Sequence, residues 1–174
     1  MKRMLLLLPV LLTVAAASDT GLGREKYKPN ADSGATAIAR FPKGNLRLSV
    51  MRGDTQYYGV LRGDTCKSAQ KLTVYSAGIG GNTTEKTLPI EAGHKLRILA
   101  SVQKQDYVEY RGGMERFTTC TRIVEFAPQV GKTYSITQEA DASAPNFCAI
   151  GVKEEASGAA PGDLAEVPRL SCHF

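Results

Sequence analysis

The residues whose types could do chemistry are four cysteines, two histidines, and the acids and serines around them. Cys66, Cys120, Cys148 and Cys172 form an even, widely spaced set in which no two make a C-x-x-C pair. Zinc knuckles need close-spaced ligands, so no metal site is expected and two disulfides are the natural chemistry. His94 can be drawn as a general base, with Asp106 or Glu91 to orient it and a serine as nucleophile. It stands in Ala92-Gly93-His94-Lys95, which reads as a turn before an alternating strand, and no nucleophile elbow accompanies it. His173, beside Cys172, is expected to be structural or idle. No catalytic residue, cofactor or metal is assigned, and the chain is read as a non-enzyme; a hydrolase of unknown type using His94 is an alternative.

Three further motifs have simpler readings as turns. Arg52-Gly53-Asp54 and Arg62-Gly63-Asp64 each match the tripeptide that adhesion receptors recognise. Gly and Asp are also what a tight turn wants, since Gly supplies positive φ and Asp bonds nearby amides. Gly131-Lys132-Thr133 imitates the end of a phosphate-binding loop, but Phe126 stands where the first Gly is needed and β-patterned sequence follows. No helix N-terminus is then available for phosphate, and residues 128–132 are read as a hairpin turn. Asn82-Thr83-Thr84 has the form of a glycosylation sequon and reads more simply as a polar turn. Among Tyr57, Tyr58, Tyr75, Tyr107 and Tyr110, packing is expected for most. Tyr107 and Tyr110, beside Arg111 and its glycines, are the binding candidates, together with the loop that carries Gly78 and Asn82.

The elements that must position these residues are strands. Leu46, Leu48 and Val50 alternate with polar neighbours, as do Leu72 and Val74, and Leu96, Ile98, Ala100 and Val102. Val124 and Phe126 share parity with Cys120, Tyr134 and Ile136 define another strand, and Cys148, Ile150 and Val152 the last. Period two with regular Gly, Pro and Asp punctuation predicts an all-β, antiparallel sandwich, immunoglobulin-like or similar, of roughly seven to nine strands. The expected division is a signal peptide over 1–18, a flexible or loosely docked arm over 19–34, a sandwich domain over 35–154, and a loop-like tail over 155–174 tied by Cys172.

The leader reading rests on Lys2 and Arg3, a short apolar run, and small residues that place the cut after Ala17 or Ser18. The run is too short to span a bilayer, which takes roughly 20 residues, so the protein is not expected to span a membrane. The chain has 22 Lys plus Arg against 17 Asp plus Glu, and removing Lys2 and Arg3 leaves 20 against 17. With charges of mixed sign along the rest, a nucleic-acid partner is not expected.

The C-terminal half then brings a family into view. Residues 87–96 (Thr87-Leu88-Pro89-Ile90-Glu91-Ala92-Gly93-His94-Lys95-Leu96), Cys120 to Val124 with Phe126 to Tyr134, and Phe147-Cys148-Ala149-Ile150 resemble small uncharacterised periplasmic β-sandwich proteins of proteobacteria. The resemblance spans roughly residues 45 to 153 and implies a β-sandwich and a cell-envelope location; it supplies no activity and no functional residues.

Parity points both Cys120 and Cys148 inward, which favours their pairing and leaves Cys66 with Cys172 among three possible connectivities. In a simple meander the two would flank a shared strand, roughly 9 to 10 Å apart and out of reach. The bridge therefore requires the last strand to cross to the other sheet, or a bend near Cys120. The function expected is that of a periplasmic or secreted, noncatalytic binding or accessory protein with a protein, peptide or glycan partner in the envelope. A periplasmic inhibitor of a cell-wall hydrolase or protease is a further alternative.

Overall fold

The computed structural model describes residues 25–30, 34–46, 54–77, 83–107, 115–140 and 148–168; the side chains of 105–107, 115–117 and 140 also lie outside the description. In chain order the strands are β1 (Thr36–Pro42), β2 (Thr55–Leu61), β3 (Ala69–Ser76), β4 (Glu85–Glu91), β5 (Leu96–Tyr107), β6 (Glu115–Phe126), β7 (Thr133–Ala140), β8 (Cys148–Glu154) and the short β9 (Ala165–Glu166). They form a four-stranded sheet in the order β4-β1-β7-β8 and a five-stranded sheet in the order β3-β2-β5-β6-β9. Pairing is antiparallel except between β1 and β7, which run parallel. The sandwich expected from alternation is the fold observed.

Inward parity explains most of the core. Leu96, Ile98 and Ala100 of β5 face Val124 and Phe126 of β6, Tyr134 and Ile136 of β7, and Val152 of β8, all in one buried cluster. β1 joins them through Ala37, Ala39 and Phe41, a strand the alternation at 46–50 did not announce. Residues 43–46 are irregular, and 47–50 lie outside the described residues. On β3 the expected partnership of Leu72 with Val74 fails: Leu72 is buried and Val74 is 46% exposed, while Tyr75 turns inward. The pairing with β2 shifts register between Tyr58 and Gly59, so that Leu72 is skipped and every later β3 side chain changes face.

The outer face of the five-stranded sheet is not simply solvated. Tyr57, Leu61, Leu99 and Ile123 form a second buried cluster there with Cys66 and Ala69, and Val167 packs on it. The turn after β2, including a 3-10 turn at Cys66–Ser68, lies over this face from one side. β9 closes it from the other by pairing with β6 at Val124 and Glu125. Cys66 is disulfide-bonded, and its expected partner Cys172 lies outside the described residues.

Cys120 of β6 and Cys148 of β8 are joined by a disulfide with Cα atoms 6.1 Å apart, so the bridge links the two sheets. The chain changes sheet after β6, at residues 127–132, and β7 and β8 cross together. The turn read as a hairpin is thus an arch between sheets. Gly131 there adopts φ 73°, and the Lys132 amide donates to the Gln129 carbonyl at 3.2 Å. A second arch, from β4 to β5, meets it where the Gly93 amide donates to Pro128 O at 2.8 Å.

Candidate functional site

Odd-numbered strands from β1 to β7 run toward one end of the sandwich and even-numbered ones away from it. Pro42, Thr55, Ser76, Glu85, Tyr107, Glu115, Ala140 and Cys148 therefore bound that end, and the arches lie at the other. Tyr107 closes β5 opposite Glu115, with its side chain outside the description; Gly78, Asn82, Tyr110 and Arg111 lie outside the described residues.

Beneath that end the interior turns polar. Gln56 is fully buried; its Oε1 accepts from the Gly44 amide at 2.9 Å, and its Nε2 donates to Tyr58 Oη at 3.0 Å. The Tyr58 hydroxyl donates in turn to Pro42 O at 3.3 Å. Gln138 is 3% exposed, donates from Nε2 to Cys120 O at 3.4 Å, and has no hydrogen-bond partner for Oε1 among the described residues. Asp54 and Lys104 are buried in the same quarter, Lys104 sharing the inward parity of Val102. Arg122 Nε donates to Cys148 O at 2.9 Å, fixing the start of β8. Burial raises the Tyr58 phenol far above its ordinary range and pushes that of Tyr57 up to about 12, so both stay neutral. Tyr57, Tyr58 and Tyr75 are all buried, as packing residues are.

The opposite end gathers the other sequence candidates around one carboxylate. Glu91 closes β4 with its side chain 1% exposed. Arg62 grips it in a fork, NH1 to Oε2 at 2.7 Å and NH2 to Oε1 at 2.5 Å. His94 Nε2 lies 2.9 Å from Oε2 and, against an ionised carboxylate, must be the donor. The Asn30 amide donates to Oε1 at 2.6 Å. Hydrogen bonding from Arg62, above all, holds the Glu91 carboxyl down at about 2 despite its burial. Glu91, not Asp106, is thus the acid beside His94. Asp106 sits on β5 opposite Arg116, its side chain outside the description. Both oxygens of Glu91 accept from Arg62, with the Asn30 main-chain N–H added on Oε1 and the His94 ring on Oε2, an arrangement that locks a turn together.

The second Arg-Gly-Asp tripeptide is pulled apart by the same network. Arg62 turns to Glu91, while Asp64 accepts from Arg97 NH1 at 2.7 Å. Arg97 Nε and Lys95 Nζ meet Glu125 at 2.9 and 3.0 Å, in a shallow depression of about 380 Å³ whose charged lining is taken up in ion pairs. In the first tripeptide Asp54 is only 3% exposed and residues 52–53 lie outside the described residues. Lys132 of Gly131-Lys132-Thr133 pairs with Glu154 at 2.7 Å and leads into a strand.

Sequence reasoning missed Tyr27. Within the segment read as an arm, Tyr27 is 7% exposed, lies under the Arg62 guanidinium at 5.3 Å, and accepts from the Glu91 amide at 3.0 Å. A lone aromatic in a polar stretch was the available signal.

Among the described residues no group of three or more His, Cys, Asp or Glu could hold a metal ion, and no helix is long and apolar enough to cross a membrane. Comparison with protein-family models, curated proteins and solved structures gave no match in any of the three.

Proposed function

We propose that the chain is an exported, noncatalytic binding or accessory protein of the cell envelope, periplasmic or secreted, that contacts a protein, peptide or glycan through loops at one end of its sandwich. The observation that carries this reading is the convergence of eight strand ends on a single end, where the connections with Gly78, Asn82, Tyr110 and Arg111 attach. Loops on a rigid scaffold are the usual carriers of recognition, and here an inter-sheet disulfide and a buried polar layer fix the strand ends that bear them. Export is supported by the leader pattern of residues 1–18 and by bonded cysteines, which persist in oxidising compartments.

Photo-crosslinking residues placed singly at Asn82, Tyr110 and Val130 in cells test the reading. Val130 is 63% exposed on the far arch and serves as the control. The same adduct is expected from Asn82 and Tyr110 and not from Val130. Equal labelling from all three positions, or none, overturns the proposal. N-terminal sequencing of the exported protein is expected to begin at Ser18 or Asp19.

A further inference from the structure

The N-terminal segment is held at the sandwich in the manner of a bound peptide. Residues 25–27 meet the edge strand β3 in parallel through one isolated bridge between Lys26 and Lys71, and residues 28–30 continue to Arg62 and Glu91. Two main-chain hydrogen bonds join them: the Tyr27 amide to Lys71 O at 2.8 Å, and the Lys71 amide to Glu25 O at 2.6 Å. All other pairs in this sheet are antiparallel, so the segment is an addition to the edge. A single parallel bridge is a weak ladder, and the hold comes from anchors.

Those anchors recognise an extended chain with one tyrosine. The ring fills a buried site beneath Arg62, as a cation over a π face. Its hydroxyl oxygen accepts from the Glu91 amide, a contact that phenylalanine cannot make. Three residues on, the Asn30 main-chain N–H donates to the Glu91 carboxylate at 2.6 Å, which needs no particular side chain. Arg62 NH2 reaches the Lys28 carbonyl at 3.3 Å. Edge pairing, an aromatic pocket and main-chain capture are the parts of a strand-addition receptor.

We propose that the β3 edge, with Arg62 and Glu91, is a receptor groove for an extended, tyrosine-bearing peptide of a partner protein, and that residues 25–30 occupy it in cis until displaced. This surface lies at the arch end, away from the loops of the proposed function, and stands independently of them.

The test uses the full chain with Tyr27→Ala, which empties the ring site, and a fluorescent peptide Gly-Arg-Glu-Lys-Tyr-Lys-Pro-Asn-Ala-Asp, the sequence of residues 23–32. Saturable binding is expected to Tyr27→Ala, and at least tenfold weaker binding to the wild type, whose own arm competes. The peptide with alanine for tyrosine should not bind, and Glu91→Gln in the Tyr27→Ala chain should weaken binding at least tenfold. Natively folded Tyr27→Ala without saturable binding, or equal binding of the alanine peptide, overturns the proposal. Should Tyr27→Ala fail to fold, hydrogen exchange on the wild type decides. The Lys71 amide is expected to exchange faster than β2 and β5 core amides and to be slowed by saturating peptide. Core-like protection that peptide leaves unchanged overturns the groove.

Discussion

Glu91 concentrates more consequence than any other single side chain described. Its carboxyl titrates at about 2 in the folded chain against an ordinary value of 4.5, so the unfolded chain takes up a proton first as pH falls. The stabilisation is complete above the ordinary value and is lost on acidification through the folded one. A shift of this size corresponds to about 3 kcal/mol. Urea midpoints measured from pH 6 down to 2 should therefore fall for the wild type through this window. Glu91→Gln should be less stable at pH 7, by about 2 to 3 kcal/mol, and should lack that component of the acid loss. At this scale the sequence was partly legible: Glu91 lies three residues before His94 and is one of the two acids, with Asp106, that the sequence offers to orient it. Arg62 and Asn30 are distant in sequence, and only the fold brings them to the same carboxylate.

Single strands show where alternation informs and where it misleads. β5 and β6 kept the parity read from them, and with it the inward direction of Cys120. β1 escaped notice because its inward residues are two alanines and a phenylalanine, while its one branched aliphatic, Ile38, is 36% exposed. β3 departs from its apparent alternation because one skipped residue reverses its faces, and nothing within β3 itself marks the bulge. Gly59 marks the spot in the partner strand. An added Cβ there would come within 2.7 Å of the Tyr57 ring and 3.0 Å of the Gln70 carbonyl oxygen. Gly59→Ala is thus expected to cost about 1 to 3 kcal/mol in chemical denaturation. Leu99 stands on the face of β5 shared with Arg97 and Ser101, yet it is fully buried in the second cluster. Leu99→Ala should cost about 2 to 5 kcal/mol, the loss of a core leucine; under 1 kcal/mol would mean the cover over that face is not closed in solution.

The molecule as a whole is two sheets clipped by Cys120–Cys148 and sealed on one outer face by the turn after β2 and by β9. The sequence predicted the two layers and the clip but placed the crossing too late, since nothing in residues 127–132 distinguishes an arch from a hairpin. Replacing both Cys120 and Cys148 with alanine opens a link across 28 residues of chain. It should lower stability by about 3 to 4 kcal/mol, read from urea midpoints of oxidised wild type and variant. Because the link joins the sheets, hydrogen exchange should accelerate in β8 more than in β2.

The parallel pairing of β1 with β7 also dictates an order of assembly. As a ribosome or a translocation pore delivers the chain, β1 emerges early with neither neighbour yet made: β4 follows some fifty residues later and β7 nearly a hundred. Until residue 140 is out, the central strand of one layer lacks a flank, and a nascent chain halted before that point presents an open backbone edge to any other chain it meets.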